Sequence, residues 1–140
     1  MDNNLRRTII LENYAHPFNK NLINDSKYEH INVNNESCID NIDLMVDINN
    51  NMIEDIHFTG EACAISTSAT SIMIKTLLHK TIDEALDIIN EYEKMIDEQA
   101  YDADILGEMI VYDEIYKQPN RKKCALLPAK GLKKVLEAHK

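Results

Sequence analysis

The sequence predicts an α+β fold: a compact single domain over residues 1–140, with a small antiparallel sheet of about three strands packed against several helices. Three observations carry this expectation. Residues 42–58 alternate apolar and polar on both sides of an asparagine triplet, as half-buried strands do. Beyond residue 60, apolar residues recur at helical spacing instead. A chain of 140 residues, 44% of them hydrophobic, is long enough to bury one core and short of a second.

The first helix is expected from about Leu5 to Tyr14, stopping before Pro17, whose ring removes a backbone donor and restrains the residue before it. A polar connector from Asn19 to Lys27 leads to a short strand at His30, Ile31 and Val33. Asn34 to Ser37 then forms a turn that delivers Cys38 on a loop. Ile42, Leu44, Val46 and Ile48 alternate with Asp43, Met45 and Asp47, and Met52 to Phe58 returns after a turn at Asn49 to Asn51, which makes a hairpin. Gly60 is expected to break the return strand.

Cys63 opens a helix from Ala64 to Leu78, with Ile65, Ile72, Met73, Leu77 and Leu78 on its buried face and small residues from Ser66 to Ser71 keeping its first turns slim. Thr81 followed by Glu84 has the spacing of a capping box, and Ile82, Leu86, Ile89, Tyr92 and Ile96 form the core stripe of the next helix. Asp97 to Asp104 is acidic and irregular, and Ile105 to Tyr116 is a short apolar helix interrupted near Gly107. Pro119-Asn120 turns the chain. The final helix is expected from about Leu126 to His139, with Pro128 in its first turn, where a missing N–H matters little, and Leu127, Leu132, Val135 and Leu136 facing the core.

A net charge of -9 without a broad basic stripe argues against nucleic acid and favours cationic protein surfaces as partners. No apolar run approaches the roughly 18 residues of a membrane span. The opening MDNNLRRTIILENY has too short an apolar stretch for a secretory signal, so the expected compartment is cytoplasmic, with no membrane partner. In such a reducing compartment, three widely spaced cysteines are better explained as metal ligands or reactive thiols than as a disulfide with a spare.

Cys38, Cys63 and Cys124, with Asp40 two residues after the first, each stand beside a turn or an expected helix start. Together they offer three thiolates and a carboxylate, a donor set for one tetrahedral metal. The helix dipole at Cys63 favours the thiolate there, and the same placement is expected for Cys124. Zinc held by this set has a formal site charge of about -2. Arg121 and Lys123, in the one dense cationic cluster, are candidates to offset it, although Lys122 and Lys123 also fit ordinary solvated charges. The alternatives are a structural zinc module, a transient [2Fe-2S] cluster, or small buried residues without a metal. His16, His30, His57, His79 and His139 have no ligand spacing among themselves, the methionines fit core filling, and Ser66 to Ser71 lacks a catalytic triad.

Three collinear pieces, Cys38-Ile39-Asp40, Gly60-Glu61-Ala62-Cys63-Ala64-Ile65-Ser66 and Arg121-Lys122-Lys123-Cys124-Ala125-Leu126-Leu127-Pro128, resemble the SufU family, the zinc-using branch of the IscU/NifU-like iron-sulfur assembly proteins. The 61-position step from Cys63 to Cys124 is similar to SufU, and Lys123 stands where IscU scaffolds have a histidine. The resemblance implies zinc on Cys38, Asp40, Cys63 and Cys124, and a pyridoxal-phosphate cysteine desulfurase, SufS, as partner. It further implies Cys38 as the catalytic thiol that accepts persulfide sulfur and passes it to the SUF scaffold complex or to a reducing system. Ile39 and Ala62 replace glycines usual in the family. If the family glycine before Asp40 uses a positive φ angle, Ile39 is expected to strain or shift its loop; the alternative is that it covers the site or touches the desulfurase.

Overall fold

Asn50 and Asn51, at φ of 53° and 62°, close a two-residue hairpin loop in the left-handed conformation that asparagine tolerates and that matches strand twist. The computed structural model, which describes residues 1–140, builds a three-stranded antiparallel sheet around this turn, in the order β1 (Glu29–Asn34), β2 (Asn41–Asn49) and β3 (Met52–Glu61). Ile42, Leu44 and Val46 are buried as their alternation requires, while a register shift at Asp47/Ile48 leaves Ile48 half-buried. The expected α+β architecture is therefore present. Its helices are α1 (Asn3–Ala15), α2 (Ala64–Leu77), α3 (Ile82–Ile96) and α4 (Pro119–Ala138), with three short 3-10 turns between α3 and α4.

Gly60 does not break β3. It pairs with Ile42 at φ 122°, and a Cβ there would stand 2.1 Å from the Asn41 carbonyl oxygen. The glycine lets the two backbones close past each other, so the strand continues to Glu61 opposite Asn41. That register sets Asp40 and Cys63 just beyond the same end of the sheet.

The helices depart from expectation at their ends. The Asp2 side chain accepts the Leu5 N–H at 2.8 Å, so α1 starts two residues earlier than its apolar pattern shows. Helix α3 carries the expected capping box of Thr81 and Glu84. The main correction is α4, which begins at Pro119 and not near Leu126, so that Pro128 lies inside the helix. Proline at the first helical position needs no intrahelical N–H and has its φ preset, which makes Pro119 a start and not a turn. Inside the helix, Pro128 cannot donate to the Cys124 carbonyl four residues back; Ser66 Oγ lies 3.1 Å away, within reach to share its proton with that carbonyl.

Helix α2 is buried on every side from Ser66 to Ile74, not along one stripe, because α1, α4, β3 and the 3-10 turn at Gly107–Tyr112 surround it. Its small residues permit that enclosure, and each buried hydroxyl finds a partner: Ser68 with Tyr112, Thr70 with the Ser66 carbonyl, Ser71 with Asn13. One core cluster of 31 buried residues joins sheet and helices. On the opposite face, the polar connector lies over Met45 and is tied down by Tyr28, whose hydroxyl donates to Asp55 Oδ2 at 2.6 Å, and by His57, which bridges Asp55 and Asn21. The Asp55 bond, burial and nearby carboxylates push the Tyr28 phenol up to about 12. No helix is long and apolar enough to cross a membrane.

Two glycines test this packing. Gly60→Ala is expected to destabilise the protein by about 3 kcal/mol or more, since both the positive φ and the Asn41 carbonyl oppose a side chain. Gly131→Ala meets side-chain methyls and no backbone, Leu44 Cδ1 and Val33 Cγ1 both at 2.8 Å, and should cost about 1 to 3 kcal/mol. Urea unfolding of both variants measures the difference.

Candidate metal centre

A tight turn between β1 and β2 carries Cys38. The Asn35 N–H donates to the Asp40 carbonyl and the Cys38 N–H to the Asn35 carbonyl, both at 3.0 Å, while Ser37 donates to Asn35 Oδ1 through its N–H and its hydroxyl. These bonds close the turn on Asn35, which is buried although it sits in a loop. Asp40 follows, 2% exposed, immediately before β2. Cys63 is the N-cap of α2, its sulfur accepting the Ser66 N–H at 3.4 Å. Cys124 is fully buried on α4. The structure thus brings all four predicted residues together: one ligand atom from each of Cys38, Asp40, Cys63 and Cys124 lies within 4.8 Å of every other.

The helix-start reading holds for Cys63 and not for Cys124. With α4 beginning at Pro119, Cys124 lies beyond its first turn, where the dipole has faded. Burial, with Cys63 and Asp40 as neighbours, pushes the Cys124 thiol well above the ordinary range. Asp40 goes the other way. Burial alone would raise its carboxyl, but the Cys63 N–H at 2.8 Å, the Ser66 hydroxyl at 2.5 Å and the two thiols outweigh it and hold the group below the usual carboxylate range. The centre therefore has a fixed anion beside a thiol that stays protonated until something displaces its proton.

Arg121 is exposed, and the Cys124 sulfur first, then the charge of Cys63, holds its guanidinium proton more tightly than usual. Lys122 pairs with Asp97 at 3.5 Å. Lys123 lines an open groove of about 660 Å³ beside the centre with Asn35, Ser37, Leu126 and Lys130. Ile39 neither covers the centre nor strains its loop: it is 67% exposed, and neither it nor Ala62 has a positive φ.

Two contributors escape a reading of the sequence. Asn35 looks like any turn residue, yet its Nδ2 lies 3.7 Å from Cys124 Sγ as well as bracing the Cys38 turn. Ser66 looks like a slim helix residue, yet it touches Asp40, Cys63 and the Cys124 carbonyl. A polar side chain three residues before Cys38 and another three after Cys63 are the available signals, and spacing alone does not separate them from ordinary turn and cap chemistry.

The donor set fits a tetrahedral ion. Zinc–sulfur bonds of about 2.3 Å place ligand atoms roughly 3.8 Å apart, so a cluster already within 4.8 Å needs only a small contraction. Thiolates on Cys38, Cys63 and Cys124 are equally the ligand type of iron-sulfur clusters. Cys38 and Cys63 are half-buried, which leaves the centre reachable from one side.

The family model for the NifU-like N-terminal domain matches residues 6–125. The chain is 35% identical to the zinc-dependent sulfurtransferase SufU of Bacillus subtilis (strain 168), over 93% of this chain and 88% of that protein. It is 34% identical to the iron-sulfur cluster assembly scaffold protein IscU of Streptococcus pyogenes serotype M1, over 78% of this chain and 69% of that one. The crystal structure of SufU from Fervidobacterium islandicum, a candidate iron-sulfur cluster assembly scaffold protein for the SUF system, superimposes with a TM-score of 0.81 at 32% identity, covering 91% of this chain and 93% of the other.

The protonated Cys124 thiol dictates how metal binding responds to pH. Below the pKa of that thiol, binding must release its proton, so affinity is expected to rise with pH by about one log unit per pH unit for each thiol proton displaced. Calorimetric zinc titration near neutral pH in buffers of different ionisation enthalpy should show at least one proton released per ion.

Proposed function

The chain belongs to the NifU-like N-terminal domain family of iron-sulfur cluster assembly proteins, in its SufU branch, and on that premise we propose that it is a zinc-dependent sulfurtransferase serving a SufS-type cysteine desulfurase. The observation that carries this reading is an asymmetry among the four ligands. Cys63 caps a helix enclosed on all sides, Cys124 is buried within α4 and Asp40 is held by two donors, whereas Cys38 alone rides on a short turn between strands. The side chains of Asp40, Cys63 and Cys124 have hydrogen-bond partners at their ligand atoms, whereas the Cys38 sulfur is held only by the backbone of its turn.

Zinc bound by Cys38, Asp40, Cys63 and Cys124 would keep these thiols deprotonated near neutral pH. The transfer itself belongs to Cys38. Its thiolate attacks the outer sulfur of the desulfurase's cysteine persulfide; the donor S–S bond breaks, the donor cysteine leaves as a thiolate, and Cys38 becomes the persulfide. One sulfur atom moves between thiolates without net oxidation, so no outside oxidant or reductant is required. A thiol of the SUF scaffold complex accepts the sulfur by the same exchange. Ile39, next to Cys38 in the chain, and Lys123, in the groove with Asn35 and Ser37, are exposed and available to a donor.

A second reading is favoured by the scaffold relatives: assembly of a transient [2Fe-2S] cluster on the same ligands. Reaction of the zinc-loaded chain with a SufS-type desulfurase and cysteine, followed by intact-mass and peptide mapping, separates the two. Sulfur transfer predicts one added sulfur on the Cys38 peptide with zinc retained, and no added sulfur in Cys38→Ala. No added sulfur on the native chain, together with a coloured cluster on supplying iron and sulfide, overturns the sulfurtransferase reading in favour of the scaffold.

A further inference from the structure

Ser66 is wholly buried and contributes no ligand atom, yet its Oγ lies 2.5 Å from Asp40 Oδ2, 3.1 Å from the Cys124 carbonyl oxygen and 3.6 Å from Cys63 Sγ. The other hydroxyls of α2 bond elsewhere: Thr67 to the Ala62 carbonyl, Ser68 to Tyr112, Thr70 and Thr76 back along the helix and Ser71 to Asn13. A hydroxyl has a single proton to donate, so Asp40 and the Cys124 carbonyl compete for it. The carbonyl competes only because Pro128 supplies no N–H to it. The other oxygen of Asp40 accepts the Cys63 N–H at 2.8 Å, so the first turn of α2 holds both carboxylate oxygens.

Resting on the metal-binding reading of the centre, we propose that Ser66 is a positioning residue for Asp40: its hydroxyl, shared with the carbonyl that Pro128 leaves free, keeps the carboxylate on the metal through one oxygen, including while Cys38 is engaged elsewhere. Oδ2 also faces the Cys63 sulfur at 3.8 Å; without the Ser66 bond, the carboxylate is free to turn about the oxygen that the Cys63 N–H holds and to chelate the cation through both oxygens. The Cys63 N–H alone fixes one oxygen and leaves rotation about it. Because α2 is enclosed on every side, the Ser66 hydroxyl is a stationary reference that a loop residue would not provide.

The test uses the full chain loaded with zinc or with cobalt(II), whose visible bands report coordination number. Ser66→Ala is expected to speed zinc release to a chromophoric chelator by about tenfold to a hundredfold, the usual range for loss of an outer partner. Its cobalt d–d bands should weaken and shift as a five-coordinate site forms, while the thiolate charge-transfer band of three cysteines persists. Pro128→Ala returns an N–H to the Cys124 carbonyl and leaves the Ser66 proton to Asp40 alone, so its zinc release should match or fall below that of the native chain, with unchanged cobalt bands. Ser66→Thr, which keeps the hydroxyl, should restore the native bands. Native release and native bands in Ser66→Ala overturn the positioning role and leave the function reading standing, as does a loss in Pro128→Ala equal to that in Ser66→Ala. A native chain that binds neither ion sinks both.

Discussion

The contact on which the centre depends is the hydrogen bond from the Cys63 N–H to the Asp40 carboxylate, 2.8 Å long and partly buried. It joins the residue that enters β2 to the residue that starts α2, two points 23 positions apart in sequence. An isolated carboxylate at this depth would take up a proton, since burial penalises its charged form. The amide of Cys63 and the hydroxyl of Ser66 keep it ionised. In doing so they fix where Cys63 stands relative to Cys38, because Asn35 ties the Cys38 turn to the Asp40 backbone. Sheet, turn and helix start are thus one unit around a single anion, and α4 completes it with Cys124.

That unit needs a stiff floor, which α2 supplies. A helix surrounded by other elements is normally lined with large apolar residues; this one has serine and threonine through its first two turns. Small side chains let α1, α4 and β3 approach closely, while the hydroxyls find acceptors within or across the interface. Each buried hydroxyl has a defined partner, so the helix has few alternative settings. Behind it, Tyr92 bonds the Ala125 carbonyl at 2.8 Å and stacks edge-on against Tyr112, which extends the same rigidity to the segment of α4 that carries Cys124.

The parts of this arrangement visible in the sequence are those set by neighbours along the chain. Alternation across Asn50-Asn51 identifies the hairpin, Thr81 and Glu84 identify the start of α3, and the motif residues identify the four side chains that the fold gathers. The misread parts are those where a distant partner overrides a local rule. Gly60 looks like a strand breaker until Asn41 lies against it. Pro128 looks like a helix start until Ser66 is found to satisfy the carbonyl it strands. Both residues usually end regular structure because of what they lack, a side chain or an N–H, and here that lack is what the neighbouring element requires. Asn35 and Ser66 were illegible for a related reason: their bonds reach 89 and 58 positions along the chain, to Cys124.

The proline within α4 also has a mechanical consequence. The Cys124 carbonyl loses its rung to Pro128 and lies 3.1 Å from Ser66 Oγ of α2 instead, so a bond along one helix is traded for a bond between two. Ala125 and Leu127 before the proline and Leu132, Val135 and Leu136 after it all pack in the same core. The exchange works as a cross-stitch, tying the helix that carries Cys124 to the helix that Cys63 starts.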